Sequence, residues 1–263
     1  MEIIENLDKY PRRFAGWNGS EGLSNYPWIE NLHAPLTPLK RALPMLNLGL
    51  ISLAGAYIDG TEAFDLTSRD GDTGFHEIPV EVESADLRYA AKGYDTKAVE
   101  QDRNSLIPVE RLLEYQANAV IGKLNDVWWS VSSWTPNAQV VADEIAPILS
   151  ERLHRYEVNA ALIVPASRLG HQSAGLLARG IEMSGIPTVM IAVDKLAAER
   201  VRPPRTTYYA GEFGSIVGPA DWPQFQLRVL DETLRNMETF DQPGIRRLAV
   251  ELESKVEAAR GER

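Results

Sequence analysis

The chain has 263 residues, 44% hydrophobic and 24% charged, which is typical of a globular protein with one large α/β domain or two small ones. Acidic residues outnumber basic ones 37 to 27, giving a formal net charge of -10. This balance argues against nucleic acid as a partner, because phosphate backbones attract basic proteins. There is no cysteine, which excludes disulfides, thiolate metal sites, cysteine nucleophiles and thiol redox chemistry within the chain.

No apolar run reaches the roughly 20 residues that a membrane helix needs. The N-terminal stretch MEIIENLDKYPRR lacks the basic and then apolar order of a secretory signal. We therefore expect a cytoplasmic protein with no membrane partner.

Residues 1–45 are rich in proline, tryptophan, tyrosine and asparagine and show no sustained strand pattern. We interpret them as an N-terminal arm packed on a single domain at 46–263, with a short helix at 36–43. So many aromatic residues usually bury a surface, on the same chain or on a dimer mate, and a ligand lid is the alternative. The arm and a closing amphipathic helix lead us to expect a homo-oligomer.

A buried first strand is predicted within 46–58, followed by a long loop rich in glycine and aspartate. This loop carries several groups that could bind a divalent cation, although their spacing fits no calcium loop and acidic loops are commonly just solvated. They are Asp59, Asp65, Asp70, Asp72, His76 and Glu77. A short strand at 80–82 is expected next, before a turn capped by Asp86.

The middle of the chain alternates between helical and strand patterns. Helices are predicted from Tyr94 and from Pro108, then a strand that reaches Trp128 and Trp129, and then a long helix that begins at 135–137. Pro147 should kink or divide that helix. Adjacent tryptophans in an extended chain point to opposite faces, so one could line a cavity, or both could pack in the core.

The segment 159–193 predicts a parallel β-α-β unit: an apolar run at 160–164, a bend at 165–170, an amphipathic helix, and a second apolar run at 188–193. Ligands of open α/β sheets collect at the carboxyl ends of the strands. There, the first turn of the following helix offers free N–H groups to an anion. We therefore place the candidate site at this bend.

Beyond the unit we predict a short helix, a strand at 207–210, a helix capped by Asp221, and a last helix begun by Pro243. Alternating strands and helices predict a doubly wound, mostly parallel α/β sheet flanked by helices, like Rossmann and flavodoxin folds, with an N-terminal arm. There is no internal repeat to suggest further units.

Several segments stand in one order: LGLISLAGAYI, GDTGFHEIP at 71–79, Tyr94-Asp95 with Asp102 and Asn104, LIVPASRLGHQSAGLLARGIEMSGIPTVMI, RPPR and FGSIVGP. Together they resemble the selenoprotein B family, the B subunits of the glycine, sarcosine, betaine and D-proline reductases. The resemblance covers about residues 46–235 and implies the fold and the place of the pocket.

In that family the bend after the strand holds a selenocysteine or cysteine, with a second cysteine three residues on. The resemblance puts Ser167 at the first position, Gly170 at the second, and Ser173 where some members carry a further cysteine. A serine hydroxyl has no low pKa and forms no disulfide or selenosulfide, so the redox pair is lost. The family's His-x-His-Tyr-Asp is also changed, to Ala-Lys-Gly-Tyr-Asp at 91–95.

Four residues are our catalytic candidates. His171 follows Ser167 by four positions, which brings both side chains to one side of a first helical turn, so His171 could act as a base. The alternatives are a helix-capping serine and a helix-surface histidine. His76 and its neighbour Glu77 form a second acid-base pair, or else anchor their loop.

Arg168 offers a fork to a carboxylate beside the helix N-terminus, unless it only faces solvent. Arg205 could add a second cationic contact, or lie on the surface. The aspartates beside glycines could instead be turn formers. The further substrate contacts that we expect are Gly170, Ser173, Asp72, Tyr94, Asp95 and Trp129.

We expect an enzyme that acts on an amino-acid-like or small carboxylate substrate by non-redox acid/base chemistry, such as elimination, isomerisation or hydrolysis. One alternative is a non-catalytic ligand-binding or partner subunit of a reductase-type complex. Another is a reductase that takes a thiol or electron source from another protein. No glycine-rich dinucleotide fingerprint follows a strand, so neither a nicotinamide nor a flavin cofactor is indicated.

Overall fold

The computed structural model describes residues 2–250. Its strands are β1 (Asn47–Ser52), β2 (Ala56–Ile58), β3 (Phe75–Pro79), β4 (Leu87–Tyr89), β5 (Lys123–Leu124), β6 (Val127–Val131), β7 (Ala160–Val164), β8 (Thr188–Ala192), β9 (Arg205–Tyr208) and β10 (Gly244–Arg247). Its helices are α1 (Tyr10–Gly16), α2 (Lys97–Gln101), α3 (Val109–Ala117), α4 (Ala138–Val140), α5 (Ala146–Arg155), α6 (Arg168–Met183), α7 (Lys195–Val201) and α8 (Pro223–Thr239).

The central sheet has the strand order β10-β9-β8-β7-β1-β6-β3, with β5 also paired to β1. Its pairs are parallel except β3 with β6, while β2 and β4 form a separate antiparallel pair. The mostly parallel sheet flanked by helices confirms the predicted doubly wound α/β class. Because β6 and β7 lie on either side of β1, the carboxyl ends of these three strands meet at one edge of the sheet.

The sheet separates two hydrophobic cores. One core holds α3 and α8, and the other holds α5, α6 and the apolar residues of the arm up to Ile29. Trp128 belongs to the first core and Trp129 to the second, and each is 0% exposed. The predicted alternation of the two tryptophans is confirmed, with both of them packed in the core. No helix in residues 2–250 combines the length and apolarity that crossing a membrane requires.

The arm is buried against the second core. Tyr10, Phe14, Trp17 and Tyr26 are between 4% and 6% exposed and stack in sequence against one another. The Tyr26 hydroxyl donates to the Pro136 carbonyl at 2.5 Å. These contacts fix the arm beside the loop that follows β6.

The short helix that we predicted at 36–43 is absent, and the backbone there is irregular. Thr37 instead uses its backbone N–H and hydroxyl to bind the carboxylate and carbonyl of Glu182, the hydroxyl at 2.6 Å from the carbonyl oxygen. These bonds hold Thr37 in an irregular conformation against the end of α6.

The long helix that we predicted from 135–137 is interrupted, although not at Pro147 itself. Asn137 caps its start by accepting the Gln139 N–H at 3.1 Å, and a π-helical turn at Val141–Ile145 separates α4 from α5. Proline has no N–H for an intrahelical bond, and the widened turn before it accommodates that loss.

Three further predictions, of a strand, a helix cap and a helix, are wrong. The strand expected at 80–82 lies at Phe75–Pro79, where it pairs with β6. Asp221 adopts φ 55 and accepts a bond from Gln101, so it does not cap α8. Residues 244–247, predicted as helix, extend the sheet as β10 beside β9. The rest of that predicted helix, from residue 251, lies outside the described residues.

Arg205, which we weighed as a surface residue or a substrate contact, is 1% exposed. Its guanidinium donates to the Glu182 carboxylate at 2.5 Å and to the Thr37 carbonyl at 2.6 Å. The Glu182 side chain is 0% exposed and also accepts the Thr188 N–H at 2.7 Å. One buried ion pair therefore joins the arm, α6 and β9.

Removing Arg205 should destabilise the protein strongly, because it leaves the Glu182 charge buried without its partner. We expect Arg205→Ala to lower the free energy of unfolding by about 3–5 kcal/mol. Urea denaturation followed by tryptophan fluorescence measures the loss. Arg235→Ala is the control, since the Arg235–Asp231 pair is exposed and should contribute no more than about 0.5 kcal/mol. Equal losses in the two variants would contradict this account.

Candidate functional site

The bend between β7 and α6 is built as the sequence predicts. The five residues of β7 are buried, and Ser167 then adopts an extended conformation, φ -134 and ψ 174, before the helix begins at Arg168. The Ser167 hydroxyl accepts the Gly170 N–H at 3.0 Å. Ser167 is therefore the N-cap of α6, and one of the free N–H groups of the helix is already satisfied.

The loop at 91–95 covers this serine. Ser167 is 1% exposed, and a Cβ atom added at Gly93 would lie 3.3 Å from the Ser167 Cβ and 3.5 Å from its Oγ. Gly93 has φ 85, a backbone conformation that residues other than glycine rarely adopt. The position where the resemblance places a redox residue is thus closed by a glycine backbone.

His171 is 0% exposed, so it is not the helix-surface residue that we weighed as the alternative to catalysis. Its Nε2 accepts the N–H groups of Val193 at 3.0 Å and Asp194 at 3.3 Å, which leaves the proton on Nδ1. Nδ1 then donates to the Ser167 carbonyl at 2.7 Å. Both ring nitrogens are used, and burial lowers the pKa of His171 to about 4.

Arg168 leaves the buried bend and lies at the protein surface. Its Nε donates to Asp194 at 2.8 Å, its side chain is 60% exposed, and its guanidinium lies 5.9 Å from the Phe213 ring. It lines an open cleft of about 500 Å³ at the carboxyl ends of β8 and β9, together with Asp194, Lys195 and Glu212. The positive and negative groups in this cleft are balanced.

Other predicted contacts hold loops together around the same edge. The Tyr94 hydroxyl donates to the Ala54 carbonyl at 2.6 Å, just beyond β1, and burial raises the pKa of Tyr94. Asp95 accepts the Lys97 N–H at 2.9 Å at the start of α2. A Cβ atom at Gly214 would meet the Asp95 carbonyl at 2.5 Å. Two loops therefore pack closely beside the bend.

Ser173 and Gly170 lie on the buried side of α6. Ser173 is 3% exposed, and its hydroxyl lies 3.5 Å from the Thr135 carbonyl. A Cβ atom added at Gly170 would lie 3.2 Å from the Ser167 Oγ. These two residues pack the helix against its surroundings, beside the N-cap.

Glu77 and Trp129 form a separate cluster near the β3 edge of the sheet, while the His76 ring packs edge-on against Phe64, with 4.7 Å between the ring centres. Glu77 accepts bonds from the Trp129 indole at 3.3 Å and from the Tyr156 hydroxyl at 3.1 Å, with Arg152 at 3.8 Å. β3 is three places from β7, and strands lie roughly 4.8 Å apart, so about 14 Å separates the two strands. The two proposed acid-base pairs are not brought together.

The acidic loop is held by local bonds. Asp72 accepts the N–H groups of Asp65 and Gly74, both at 2.7 Å, and Asp70 accepts from Asn137. Among residues 2–250, no group of three or more acidic or histidine side chains is placed to hold a metal ion. For Asp70 and Asp72 the geometry favours turn formation over a ligand set.

Sequence reasoning passed over two residues that flank Gly93. Lys92 directly precedes Gly93 in the chain. The Trp134 ring would lie 3.8 Å from a Cβ atom added at Gly93. The Lys92 ammonium lies 4.6 Å from the centre of the same ring. The available signal was Lys92 in the altered motif at 91–95. For Trp134 there was none, because it approaches the motif only in three dimensions.

Comparisons with known proteins confirm the resemblance inferred from the motifs. The family model described as glycine/sarcosine/betaine reductase selenoprotein B matches residues 77–166, ending one residue before Ser167. D-proline reductase subunit gamma of Acetoanaerobium sticklandii is 25% identical over 225 residues, which is 85% of this chain and 92% of that protein. Glycine reductase complex component B subunit gamma of Symbiobacterium thermophilum is 31% identical over 102 residues, 38% of this chain and 23% of that protein. No solved structure matches the chain.

The depressed pKa of His171 makes stability depend on pH. Between its ordinary value of 6.5 and about 4, the unfolded chain binds a proton at this residue that the folded protein excludes. Stability should therefore fall as pH falls through this window, by up to about 3 kcal/mol from this group. His171→Gln, which keeps an acceptor for the Val193 N–H but does not titrate, should lose less stability than the wild type as pH falls from 7 to 4.

The measurement is urea unfolding at several pH values for the wild type and His171→Gln. Other groups also titrate, so the informative quantity is the difference between the two proteins at each pH. A difference that is constant from pH 4 to pH 7 would show that His171 is not held neutral by burial.

Proposed function

We propose that this chain, a relative of the selenoprotein B family of glycine, sarcosine and betaine reductases, is a ligand-binding subunit of a reductase-type complex. In this role residue 167 performs no redox step. Both curated relatives carry names of reductase subunits, one of D-proline reductase and one of a glycine reductase complex. The chain has no cysteine, so a reductive step in such a complex would need a thiol or selenol from another polypeptide.

The observation that carries this proposal is the state of Ser167. A nucleophilic serine needs access to its substrate and an adjacent base within hydrogen-bond reach. The Ser167 hydroxyl is buried under the loop at 91–95 and caps α6. Its expected base, His171, binds the Ser167 carbonyl and not the hydroxyl. This arrangement supports the non-catalytic alternative over acid/base chemistry at these two residues.

A small carboxylate or amino-acid-like ligand remains the proposed ligand class. The conserved geometry of open α/β sheets, with ligands at the carboxyl ends of strands, supports binding at this edge. Clefts of about 500 Å³ and about 340 Å³ open there, large enough for such molecules. A homo-oligomer stays a prediction.

Two substitutions at Ser167 distinguish a helix-capping role of its hydroxyl from a catalytic role. Both Ser167→Ala and Ser167→Gly remove the hydroxyl, but glycine is tolerated at N-caps far better than alanine. We expect Ser167→Ala to lower the free energy of unfolding by about 1 kcal/mol and Ser167→Gly by a few tenths of that. Urea denaturation provides both values.

Activity is tested on the same proteins. The chain alone is incubated with dithiothreitol and glycine, sarcosine, betaine or D-proline, and substrate loss is followed by mass spectrometry. We expect no turnover, while a ligand at about 100 times its dissociation constant should stabilise the protein by about 2.7 kcal/mol in a thermal-shift assay. Turnover by the wild type that both variants lose equally would refute the proposal.

A further inference from the structure

A cleft of about 340 Å³ lies beside Gly93, between the arm, the loop that follows β2 and the loop that follows β6. Trp17 of the arm, Arg69 of the first loop and Trp134 of the second line it, together with Lys92. Trp134 and Ser167 both lie within 3.8 Å of the Cβ position of Gly93. Gly93 therefore lies between this cleft and Ser167, the N-cap of α6.

The ionisable residues that line this cleft are Lys92 and Arg69, and both are cationic. Arg69 is fixed, because its Nη2 donates to the carbonyls of Phe14, Ala15 and Trp17 at 2.8–3.0 Å. Two positive charges at one small opening favour an anion, in contrast to the balanced charges around Arg168.

Lys92 is the group that a ligand can reach. Its side chain is 23% exposed and rests over the Trp134 ring, so its position is restrained by packing. Its ammonium has three donors, and in the described part of the chain Glu21 and the Leu66 carbonyl lie 3.3 Å away. The Glu21 side chain is 76% exposed, and exposed ion pairs contribute little, so a ligand carboxylate can replace it.

Trp17 lines the same cleft as Lys92 and is only 4% exposed. Its indole N–H is buried and has no hydrogen-bond partner within residues 2–250. Because that atom is closed to solvent, Trp17 offers the cleft an apolar surface and not a donor.

We propose that this cleft binds the carboxylate of a small organic acid, with Lys92 as its charged contact and the rings of Trp17 and Trp134 as its apolar walls. The inference rests on the proposed function only for the class of ligand. Its residues are different from those at the bend after β7. Arg69 contributes a fixed positive charge at the wall.

Benzoate and benzamide test the proposal, since they have the same shape and differ in charge. Binding is followed by the indole N–H signals of the six tryptophans in ¹H–¹⁵N NMR spectra, at constant ionic strength, with Trp17 assigned by Trp17→Phe. We expect benzoate to shift the Trp17 and Trp134 signals saturably and benzamide to bind at least about tenfold more weakly, as for loss of a hydrogen bond to a charged group.

Lys92→Met keeps the length of the side chain over Trp134 and removes the charge. It should weaken benzoate binding at least about tenfold and leave benzamide binding unchanged. Lys123→Met is the matched control, because Lys123 is 45% exposed, pairs with Asp126 and lies outside the linings of both clefts described above, so benzoate affinity should not change.

Two results would overturn the cleft assignment. One is equal binding of benzoate and benzamide, or no saturable shift with either. The other is benzoate binding that Lys92→Met leaves intact, which would move the carboxylate site elsewhere while the proposed function stands. Failure of the proposed function would instead be seen as turnover that depends on Ser167, whatever the result at Lys92.

Discussion

A single buried imidazole holds the candidate site together. His171 donates to the carbonyl of the cap residue, Ser167, and accepts the N–H groups that follow β8, so it joins the carboxyl ends of two neighbouring strands. Two N–H groups aimed at one nitrogen favour a neutral ring, and burial reinforces that preference. The bend after β7 is therefore fixed in one geometry, and the Ser167 hydroxyl is committed to the helix.

The two departures from the family pattern fit each other. The resemblance places a selenocysteine or cysteine at 167 and a histidine at 93, and here the two positions hold serine and glycine in contact. A side chain at 93 would begin 3.3 Å from the Ser167 Cβ and would need the backbone at φ 85, which only glycine adopts readily. The serine at 167 and the glycine at 93 are thus structurally coupled, because a loop this close over Ser167 leaves little room for a larger side chain at 93.

Local patterns were enough to predict the sheet class and the β-α-β unit. The run at 160–164 is apolar throughout and the run at 188–193 is apolar after Thr188, as is typical of strands buried on both faces. Ser167 caps its helix, as is typical of a serine before an amphipathic run. Features decided by distant partners could not be predicted. Residues 36–43 follow an irregular path in which Thr37 binds Glu182, and residues 244–247 form a strand beside β9.

Dependence on distant partners also limited what could be predicted about the candidate site. His171 was judged by its spacing from Ser167, which is correct, but its role depends on backbone donors more than 20 residues later that no periodicity reveals. In the sequence Lys92 is only a departure from a motif, whereas the fold places it over the Trp134 ring. One short segment, 91–95, therefore covers Ser167 with Gly93 and places the positive charge of Lys92 over Trp134. The two features arise together, because the Cβ position of Gly93 lies within 3.8 Å of both Ser167 and Trp134, and Lys92 is its neighbour in the chain.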